Sequence, residues 1–385
     1  MQSGITDVLF GRLNKRSAYL HINRSAFGDG NIMKNALVTT YCTWTSYGSA
    51  LQAYALQQFL KNIEVDSYIV SDSLDLEYDE SKRKIVGLKK IVKDFFDIFQ
   101  RSKIHRRYIR NTEFIEKNIS IRRFSSVEDI RKTVFDAEVC IAGSDQIFHP
   151  DLCSPLFFLD CFPSDKKKVS YAASMGITKV KREKEGEFER LLNNFDCISV
   201  READNVDVIK RYFDRDVRVN IDPTFLISPS DWRKISREYG IKKKYILVYP
   251  IYWDLSYNRL LKELKKKTGY TIVTVKSGFN RVYGDKHIID AGTDEFIWLI
   301  DHAEAVVTSS FHGVAMSAIF NKNFAAVVNP GSPSRIESLL NTLNLSPLPI
   351  EQLCDEHMDY SFANEIIAKE KLRTEQYFKE VFSHE

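Results

Sequence analysis

The stretch AVVTSSFHGVAMSAIF, residues 305–320, contains a short β-branched run, a turn of small polar residues and an apolar helical segment, in that order. A buried strand that passes through a short turn into a helix is typical of the βα units of parallel sheets. Backbone N–H groups at the start of such a helix favour anions. This segment therefore predicts a parallel sheet with a binding site where the strand ends.

The same alternation of strands and helices extends along most of the chain. The first set of predicted strands lies at 36–41, 66–71, 137–142, 168–173, 197–200 and 217–221. The second set lies at 245–250, 269–275, 287–289 and 305–308. Strands that alternate with helices predict parallel sheets built from βαβ units. Two such sets predict an α/β protein with two Rossmann-like domains that face each other across a cleft.

We place the N-terminal Rossmann-like domain at 33–225 and the C-terminal one at 226–365, as the length of 385 residues allows. Residues 366–385 contain the end of a long predicted helix, which we expect to pack back on the N-terminal domain. Residues 1–32 show no clear period, and we interpret them as an N-terminal extension.

The composition excludes several classes of protein. The chain has 55 basic and 52 acidic residues, and this near-balance does not predict nucleic-acid binding. No run of apolar residues approaches the 18 or so that a transmembrane helix needs. The six cysteines are scattered without a C-x-x-C pair, which argues against a zinc ribbon and favours a reducing, cytoplasmic compartment.

One stretch, residues 82–111, is strongly basic and has apolar residues at helical spacing. Such a helix can lie on an anionic membrane surface. The alternative is a solvated helix whose apolar stripe docks on its own domain, which is the common arrangement in globular proteins.

Polar residues follow two strands of the first set. Gly143-Ser144-Asp145-Gln146 comes after the strand at 137–142, at the sheet edge where α/β proteins bind ligands. The alternative there is a tight turn with a polar helix cap. Arg201 follows the strand at 197–200, and a guanidinium forms paired hydrogen bonds with phosphate or carboxylate. The alternative is an ion pair with Glu202 or Asp204 on the next helix.

Two candidates belong to the second set. His312 lies in the turn after the strand at 305–308, where a histidine can exchange protons near neutral pH. A capping or core histidine is the alternative. Arg335 lies in the first turn of a predicted helix, where a cation opposes the helix dipole and so indicates a nearby anion. That anion is either a ligand or an acid such as Glu337.

Seven segments in order resemble the polysaccharide pyruvyl transferase family, and they extend over roughly residues 33–345. The segments are 47–56 (YGSALQAYAL), 143–146 (GSDQ), 170–176 (SYAASMG), 199–202 (SVRE), 222–226 (DPTFL), 309–313 (SSFHG) and 334–338 (SRIES). The resemblance implies a GT-B-like fold with the active site in the cleft. It also implies a transferase that moves a pyruvyl group from phosphoenolpyruvate to two hydroxyls of a sugar, forming a ketal in a cell-surface polysaccharide precursor.

By the same resemblance, His312 is the expected catalytic acid/base, and Arg201 and Arg335 are expected to bind the donor. Further donor-binding residues are expected in the turn at Ser309, Ser310 and Gly313. Residues of the acceptor side or cleft are expected at Gly48, Ser49, Gln52, Gly143, Ser144, Asp145 and Gln146. Many members of the family carry tryptophan where this chain has Phe148, which bears on how a sugar would stack.

The resemblance implies phosphoenolpyruvate as donor substrate, a lipid- or nucleotide-linked sugar as acceptor, and no cofactor or metal. We expect a cytoplasmic enzyme with no nucleic-acid partner, which contacts the inner membrane face through 82–111 if its acceptor is lipid-linked. Two alternatives stay open at this point. One is a GT-B glycosyltransferase that uses a nucleotide sugar, and the other is a carbohydrate-binding relative without catalysis. The sequence does not indicate an oligomeric state.

Overall fold

The structure of the protein is a computed structural model that describes residues 34–72, 90–276, 281–328 and 334–383. The predicted N-terminal extension, residues 1–32, lies outside the described residues. Residues 82–89 of the basic stretch 82–111 also lie outside them. Within the described parts, the chain alternates between short strands and helices from beginning to end.

The first sheet consists of strands that pair in parallel and are largely buried, apart from the exposed edge strand β3. Its strands are β1 (Lys34–Thr39), β2 (Val65–Ser71), β3 (Ile121–Arg123), β4 (Val139–Ala142) and β5 (Lys167–Ser170), in the order β3-β2-β1-β4-β5. A parallel pair, β6 (Ile198–Val200) and β7 (Val217–Val219), extends it beyond β5 through bridges from Val169 to Cys197 and from Ala173 to Val200.

The second sheet repeats the same parallel topology. Its strands are β8 (Tyr245–Tyr249), β9 (Thr271–Val275), β10 (Lys286–Ile288), β11 (Ala305–Thr308) and β12 (Asn323–Ala326), in the order β10-β9-β8-β11-β12. The predicted fold class, α/β with two Rossmann-like units, is confirmed. The sequence analysis missed the edge strands β3 and β12 because each is short, and β3 (IRR) has no apolar period.

Helices connect the strands of both sheets. In the first half of the chain they are α1 (Tyr47–Asn62), α2 (Lys90–Asn118), α3 (Val127–Arg131), α4 (Glu185–Leu192) and α5 (Asp204–Ile209). In the second half they are α6 (Pro229–Ile235), α7 (Tyr257–Thr268), α8 (Thr293–Asp301), α9 (Phe311–Ile319), α10 (Ser334–Leu343) and α11 (Ser361–Val381). No helix in the described ranges is long and apolar enough to cross a membrane.

Two groups of contacts join the two halves. Tyr47 on α1 stacks on Phe296 of α8, with 4.4 Å between the ring centroids, and its hydroxyl donates to the carbonyl of Ala291 at 2.8 Å. The C-terminal helix α11 contacts the first sheet, where the hydroxyl of Tyr377 donates to the carbonyl of Ser170 at 2.7 Å. The boundaries at 33–225, 226–365 and 366–385 stay predictions.

The described end of the basic stretch binds to the protein itself. Arg106 pairs with Asp290 at 3.1 Å, and Arg110 pairs with Glu295 at 2.9 Å. Arg107 is buried and donates to the carbonyls of Lys276 and Thr45. These three arginines therefore attach α2 to the second half of the chain. Contact of residues 82–111 with a membrane stays a prediction.

Candidate functional site

One buried carboxylate, that of Asp222, lies where both halves of the chain meet. Its Oδ1 accepts hydrogen bonds from the backbone N–H and the hydroxyl of Thr224, at 3.0 and 2.7 Å. Its Oδ2 accepts from Arg201 Nη1 at 2.9 Å and from the Ser144 hydroxyl at 3.1 Å. The Nε2 atom of His312 lies 3.7 Å from the same oxygen. Residues from four separate segments therefore surround one carboxylate.

Local structure explains this convergence. Ser144 follows β4, Arg201 follows β6, and Asp222 caps the short 3₁₀ helix Pro223–Leu226 that comes after β7. Because the strands are parallel, their carboxyl ends share one edge of the sheet, and side chains placed just beyond them meet there. The Asp-Pro pair suits the start of a helix, since the aspartate accepts from backbone N–H groups and the proline needs no hydrogen bond.

The electrostatics of this cluster stabilise its ionised forms. Burial by itself raises the pKa of Asp222, but His312 and Arg201 more than offset this effect and hold the pKa well below its usual range. Burial by itself lowers the pKa of Arg201, but the carboxylates of Glu202 and Asp222 outweigh it and the pKa is raised. Arg201 and Asp222 are thus a permanently charged pair.

One nitrogen of the Arg201 guanidinium has no protein partner among the described residues. Its Nε donates to Glu202 at 2.9 Å, so the ion pair considered as an alternative does form, together with the bond to Asp222. The guanidinium lies 4.0 Å from the ring centre of Phe311. Its Nη2 atom is buried and has no hydrogen-bond partner among the described residues. A buried unsatisfied donor is costly, so this nitrogen points to a ligand.

His312 lies in the first turn of α9, which Ser310 caps by accepting from the N–H of Gly313 at 3.3 Å. The histidine is only 8% exposed, and its Nε2 has no hydrogen-bond partner within the described residues. On its other side the imidazole packs so closely on Gly48 that a methyl group there would overlap Nδ1. The ring is therefore held with Nε2 toward Asp222.

Arg335 lies near Arg201, and its expected role in donor binding stays a prediction. Both line a cavity of about 80 Å³ between the ends of β6 and β7 and the helices α10 and α11. Burial lowers the pKa of Arg335, and the charge of Arg201 lowers it further. A site of this size has room for several water molecules or a small anion.

The other residues that were predicted to bind the donor substrate have structural roles in the turn after β11. The Ser309 hydroxyl accepts from the N–H groups of Ile251 and Tyr252, at 2.9 and 2.8 Å, and donates to the Tyr252 carbonyl at 2.7 Å. Ser310 is occupied as the helix cap, and Gly313 lies against the side chain of Thr308. Donor binding by these three residues stays a prediction, and the structure shows them shaping the turn.

The predicted acceptor residues divide into two groups. Most of them pack against or bond to other parts of the protein, although Oε1 of Gln52 has no hydrogen-bond partner among the described residues. Gln52 is buried, and its amide donates to Thr40, Tyr41 and Ser49. The Ser144 hydroxyl donates to Asp222. Gln146 packs on Gly176, and Gly143 is buried against Thr40. Ser49 and Asp145 instead line an open cavity of about 320 Å³, together with Tyr41, Thr43, Thr45 and Ser46.

Phe148 does not face this cavity. It is fully buried and stacks on Phe158, with 4.9 Å between the ring centroids. Its side chain therefore belongs to the core of the first half. The aromatic residue that lines the cavity of about 320 Å³ is Tyr41, which contacts Phe157 edge to face with 4.6 Å between the ring centroids.

The sequence analysis noted the segment at 222–226 but gave Asp222 no role. The signal was an Asp-Pro pair directly after a predicted strand. In the described ranges, no group of three or more His, Cys, Asp or Glu side chains is arranged to hold a metal ion. The expectation that the reaction needs neither metal nor cofactor stays a prediction.

Comparison with known proteins identifies similar folds and one matching protein family. The sequence profile of the polysaccharide pyruvyl transferase family matches residues 47–331. Among solved structures, the UDP-GlcNAc 2-epimerase of Methanocaldococcus jannaschii is similar, with a TM-score of 0.51 and 10% identity over 89% of this chain and 99% of that chain. The UDP-N-acetylglucosamine 2-epimerase of Rickettsia bellii gives a TM-score of 0.51 and 10% identity over 90% and 98%. Identities this low show a shared GT-B fold alone. No curated protein sequence matches the chain.

Proposed function

Because the chain belongs to the polysaccharide pyruvyl transferase family, we propose that it moves a pyruvyl group from phosphoenolpyruvate onto two hydroxyls of one sugar, leaving a cyclic ketal. One observation carries the proposal. The donor-binding candidate Arg201 and the acid/base candidate His312 approach the same oxygen of Asp222, at 2.9 and 3.7 Å. An anion-binding group and a proton-transfer group are thus neighbours in one buried site.

The donor carries a phosphate and a carboxylate on adjacent atoms, and the cavity has two guanidinium groups that are suited to bind such anions. Arg201 and Arg335 line their shared cavity together with Glu202 and Asp222, whose carboxylates offset the two positive charges. Recognition therefore depends on placed donors more than on net charge. The unpartnered Nη2 of Arg201 is one of them, and the N-terminus of α9 is close by.

His312 is suited to give a proton to the methylene carbon of the donor. Protonation of that carbon makes the central carbon electrophilic, so that a sugar hydroxyl attacks it and phosphate leaves. A second hydroxyl then closes the ketal. The Nε2 atom has no protein partner among the described residues and lies 3.7 Å from Oδ2 of Asp222, so it is open to a ligand in this site. A positioned histidine typically contributes about 10²–10⁴-fold to such a step.

The acceptor fits the cavity lined by Tyr41, Ser49 and Asp145. Three threonine and serine residues of the β1–α1 loop complete its wall. Hydroxyl groups and one carboxylate suit the hydroxyls of a neutral sugar, and an aromatic ring suits its apolar face. We propose a lipid- or nucleotide-linked sugar from a cell-surface polysaccharide precursor as the acceptor.

The direct test is ketal formation by the wild type and by His312→Ala. We expect the variant to lose about 10²–10⁴-fold in kcat while its unfolding midpoint and its binding of phosphoenolpyruvate change little. A fully active variant would overturn the role of His312.

Ligand protection distinguishes the proposal from a nucleotide-sugar glycosyltransferase. We expect phosphoenolpyruvate to raise the melting temperature of the wild type, because a ligand that binds only the folded state stabilises it. The Arg201→Lys variant should lose this effect, since lysine lacks the fork of parallel donors. Protection by uridine or guanosine diphosphate but not by phosphoenolpyruvate would favour the glycosyltransferase. Protection by neither donor would favour a carbohydrate-binding relative.

A further inference from the structure

Asp145 has an unusual backbone conformation for its residue type. Its φ is 78° and its ψ is −177°, a region that side-chain-bearing residues rarely adopt. The turn that holds it is well bonded. The Oδ1 atom accepts from the N–H of Gln146 at 2.9 Å, and the Asp145 carbonyl accepts from the N–H of Ser174 at 2.9 Å. The Oδ2 atom has no hydrogen-bond partner in the described part of the chain.

The strand register places Asp145 close to the donor site. It forms a parallel bridge with Ala173, and Ala173 forms another with Val200, the residue before Arg201. Neighbouring strands lie about 4.8 Å apart. The backbones of Asp145 and Val200 are two strand spacings apart, which is about 10 Å in total. The N–H of Arg201 donates to the carbonyl of Ala173 at 3.0 Å, which fixes this register.

Two consecutive residues of the turn serve different sides of the site. The Ser144 hydroxyl binds Asp222, in the network that holds Arg201 and His312. Asp145 lines the cavity of about 320 Å³ formed with the β1–α1 loop. The Asp145 carboxylate therefore lies at the boundary between the donor network and the acceptor cavity.

Charge agrees with this placement. Burial is the main influence on the pKa of Arg335 and lowers it, while the charge of Asp145 acts in the opposite direction. Asp145 also contributes to the raised pKa of Arg201. The carboxylate is thus near both guanidinium groups, although it forms no ion pair with either of them within the described residues.

We propose that Asp145 is the general base that takes the proton of the first attacking acceptor hydroxyl. This role rests on the proposed function and adds a catalytic residue to it. A carboxylate with one free oxygen, facing a cavity lined by hydroxyls beside the donor site, is within reach of the attacking group and can accept its proton.

Asp145 and His312 together account for every proton that is transferred in the reaction. In the attack, the acceptor oxygen bonds to the central carbon of the donor and gives its proton to Asp145, while His312 gives a proton to the methylene carbon. The bond from the central carbon to the phosphate oxygen then breaks, and the departing phosphate takes the electron pair and the proton of Asp145. The second hydroxyl bonds to the same carbon and gives its proton to His312. Both residues return to their starting states, and the products are the ketal and hydrogen phosphate.

The test uses Asp145→Asn in the full-length protein, with kcat for ketal formation and the dissociation constant of phosphoenolpyruvate as the two measurements. Asparagine keeps an oxygen for the N–H of Gln146 and tolerates positive φ, so the turn is retained. We expect kcat to fall by about 10²–10⁴-fold with donor binding unchanged. Asp254→Asn is the matched control, because its Oδ1 likewise accepts a backbone N–H, that of Ser256, but in an exposed loop. We expect the control to be fully active.

The outcomes separate this inference from the proposed function. If the wild type neither binds phosphoenolpyruvate nor forms a ketal, the proposed function fails. If the wild type does both and Asp145→Asn keeps its kcat or loses donor binding, only the role of Asp145 is overturned. Should Asp145→Asn not fold, Asp145→Gly decides the question, because glycine suits a φ of 78° and leaves space for formate. Added formate should restore part of the kcat of Asp145→Gly, and no restoration would overturn the role.

Discussion

The turns after β4 and β11 occupy equivalent places in two sheets of the same strand order, yet they use their polar residues differently. After β11, the hydroxyls of Ser309 and Ser310 bind backbone groups of the turn and its neighbouring loop. After β4, the Ser144 hydroxyl binds a side chain from another segment, and Asp145 faces an open cavity. A polar side chain at a strand end is therefore available to a ligand only through those atoms that the protein does not bond itself, such as Oδ2 of Asp145.

The largest expected effect comes from separating the two turns at Asp222, which contacts Ser144 from one and His312 from the other. Asp222→Asn leaves Arg201 with a weakened partner in a buried site. Breaking a buried charged pair of this kind costs about 3–5 kcal/mol, so we expect the free energy of unfolding at pH 7 to fall by that amount in urea denaturation. Asp151→Asn, which removes an ion pair between solvent-exposed side chains, is the control and should leave the unfolding midpoint unchanged. An Asp222→Asn midpoint equal to wild type would contradict the prediction.

The difference in unfolding free energy between the wild type and Asp222→Asn should depend on pH. The pKa of Asp222 is held below its usual range in the folded state by His312 and Arg201, in spite of burial. The stabilisation is therefore fully present above the unfolded pKa of about 3.9 and is lost as the pH falls through the lower folded value. We expect the difference in unfolding free energy between wild type and Asp222→Asn to narrow as the pH falls below about 4. A constant or growing difference would show that Asp222 is not ionised in the folded protein.

A smaller effect is expected from moving His312, the residue of the β11 turn that faces Asp222. In Gly48→Ala the added methyl group would overlap the imidazole and displace it. A displacement of about 1 Å costs roughly 100-fold in rate, so we expect ketal formation to fall by about that factor. Gly186→Ala is the control, because Gly186 also lies in the first turn of a helix, α4, but has no neighbouring atoms near its added methyl group. Full activity of Gly48→Ala would show that the position of His312 is not critical.

The smallest effect concerns a hydroxyl that serves its own turn. Ser310→Ala removes the cap of α9 and should lower the free energy of unfolding by about 1 kcal/mol. We expect the KM for phosphoenolpyruvate to stay the same. The control is Ser256→Ala at the start of α7, where the serine side chain forms no capping hydrogen bond. A large rise in KM with unchanged stability would instead assign Ser310 to the donor.

Much of the site was predictable because local patterns show where strands end. Arg201, His312 and the 143–146 turn were all selected as polar residues beyond apolar runs, and the structure brings Arg201, His312 and Ser144 to one carboxylate. Asp222 was not selected, although it occupies the same kind of position. Its chemistry depends on being fully buried, and the sequence around it does not show burial.

The alternation of strands and helices follows from the sequence alone, because hydrophobic period and turn residues are local properties of the chain. The sequence also determined which polar residues lie beyond the carboxyl ends of the strands. Which of them meet depends on the folded chain, since Ser144 and Asp222 are 78 positions apart and bond only when the pair β6–β7 lies beside β5. The packing also explains why the hydroxyls of Ser309 and Ser310 bind backbone groups, while Oδ2 of Asp145 and Nη2 of Arg201 have no hydrogen-bond partner within the ranges that the structure describes. Hydrogen-bond partners and burial depend on packing between distant segments, and that packing cannot be derived from any one of them.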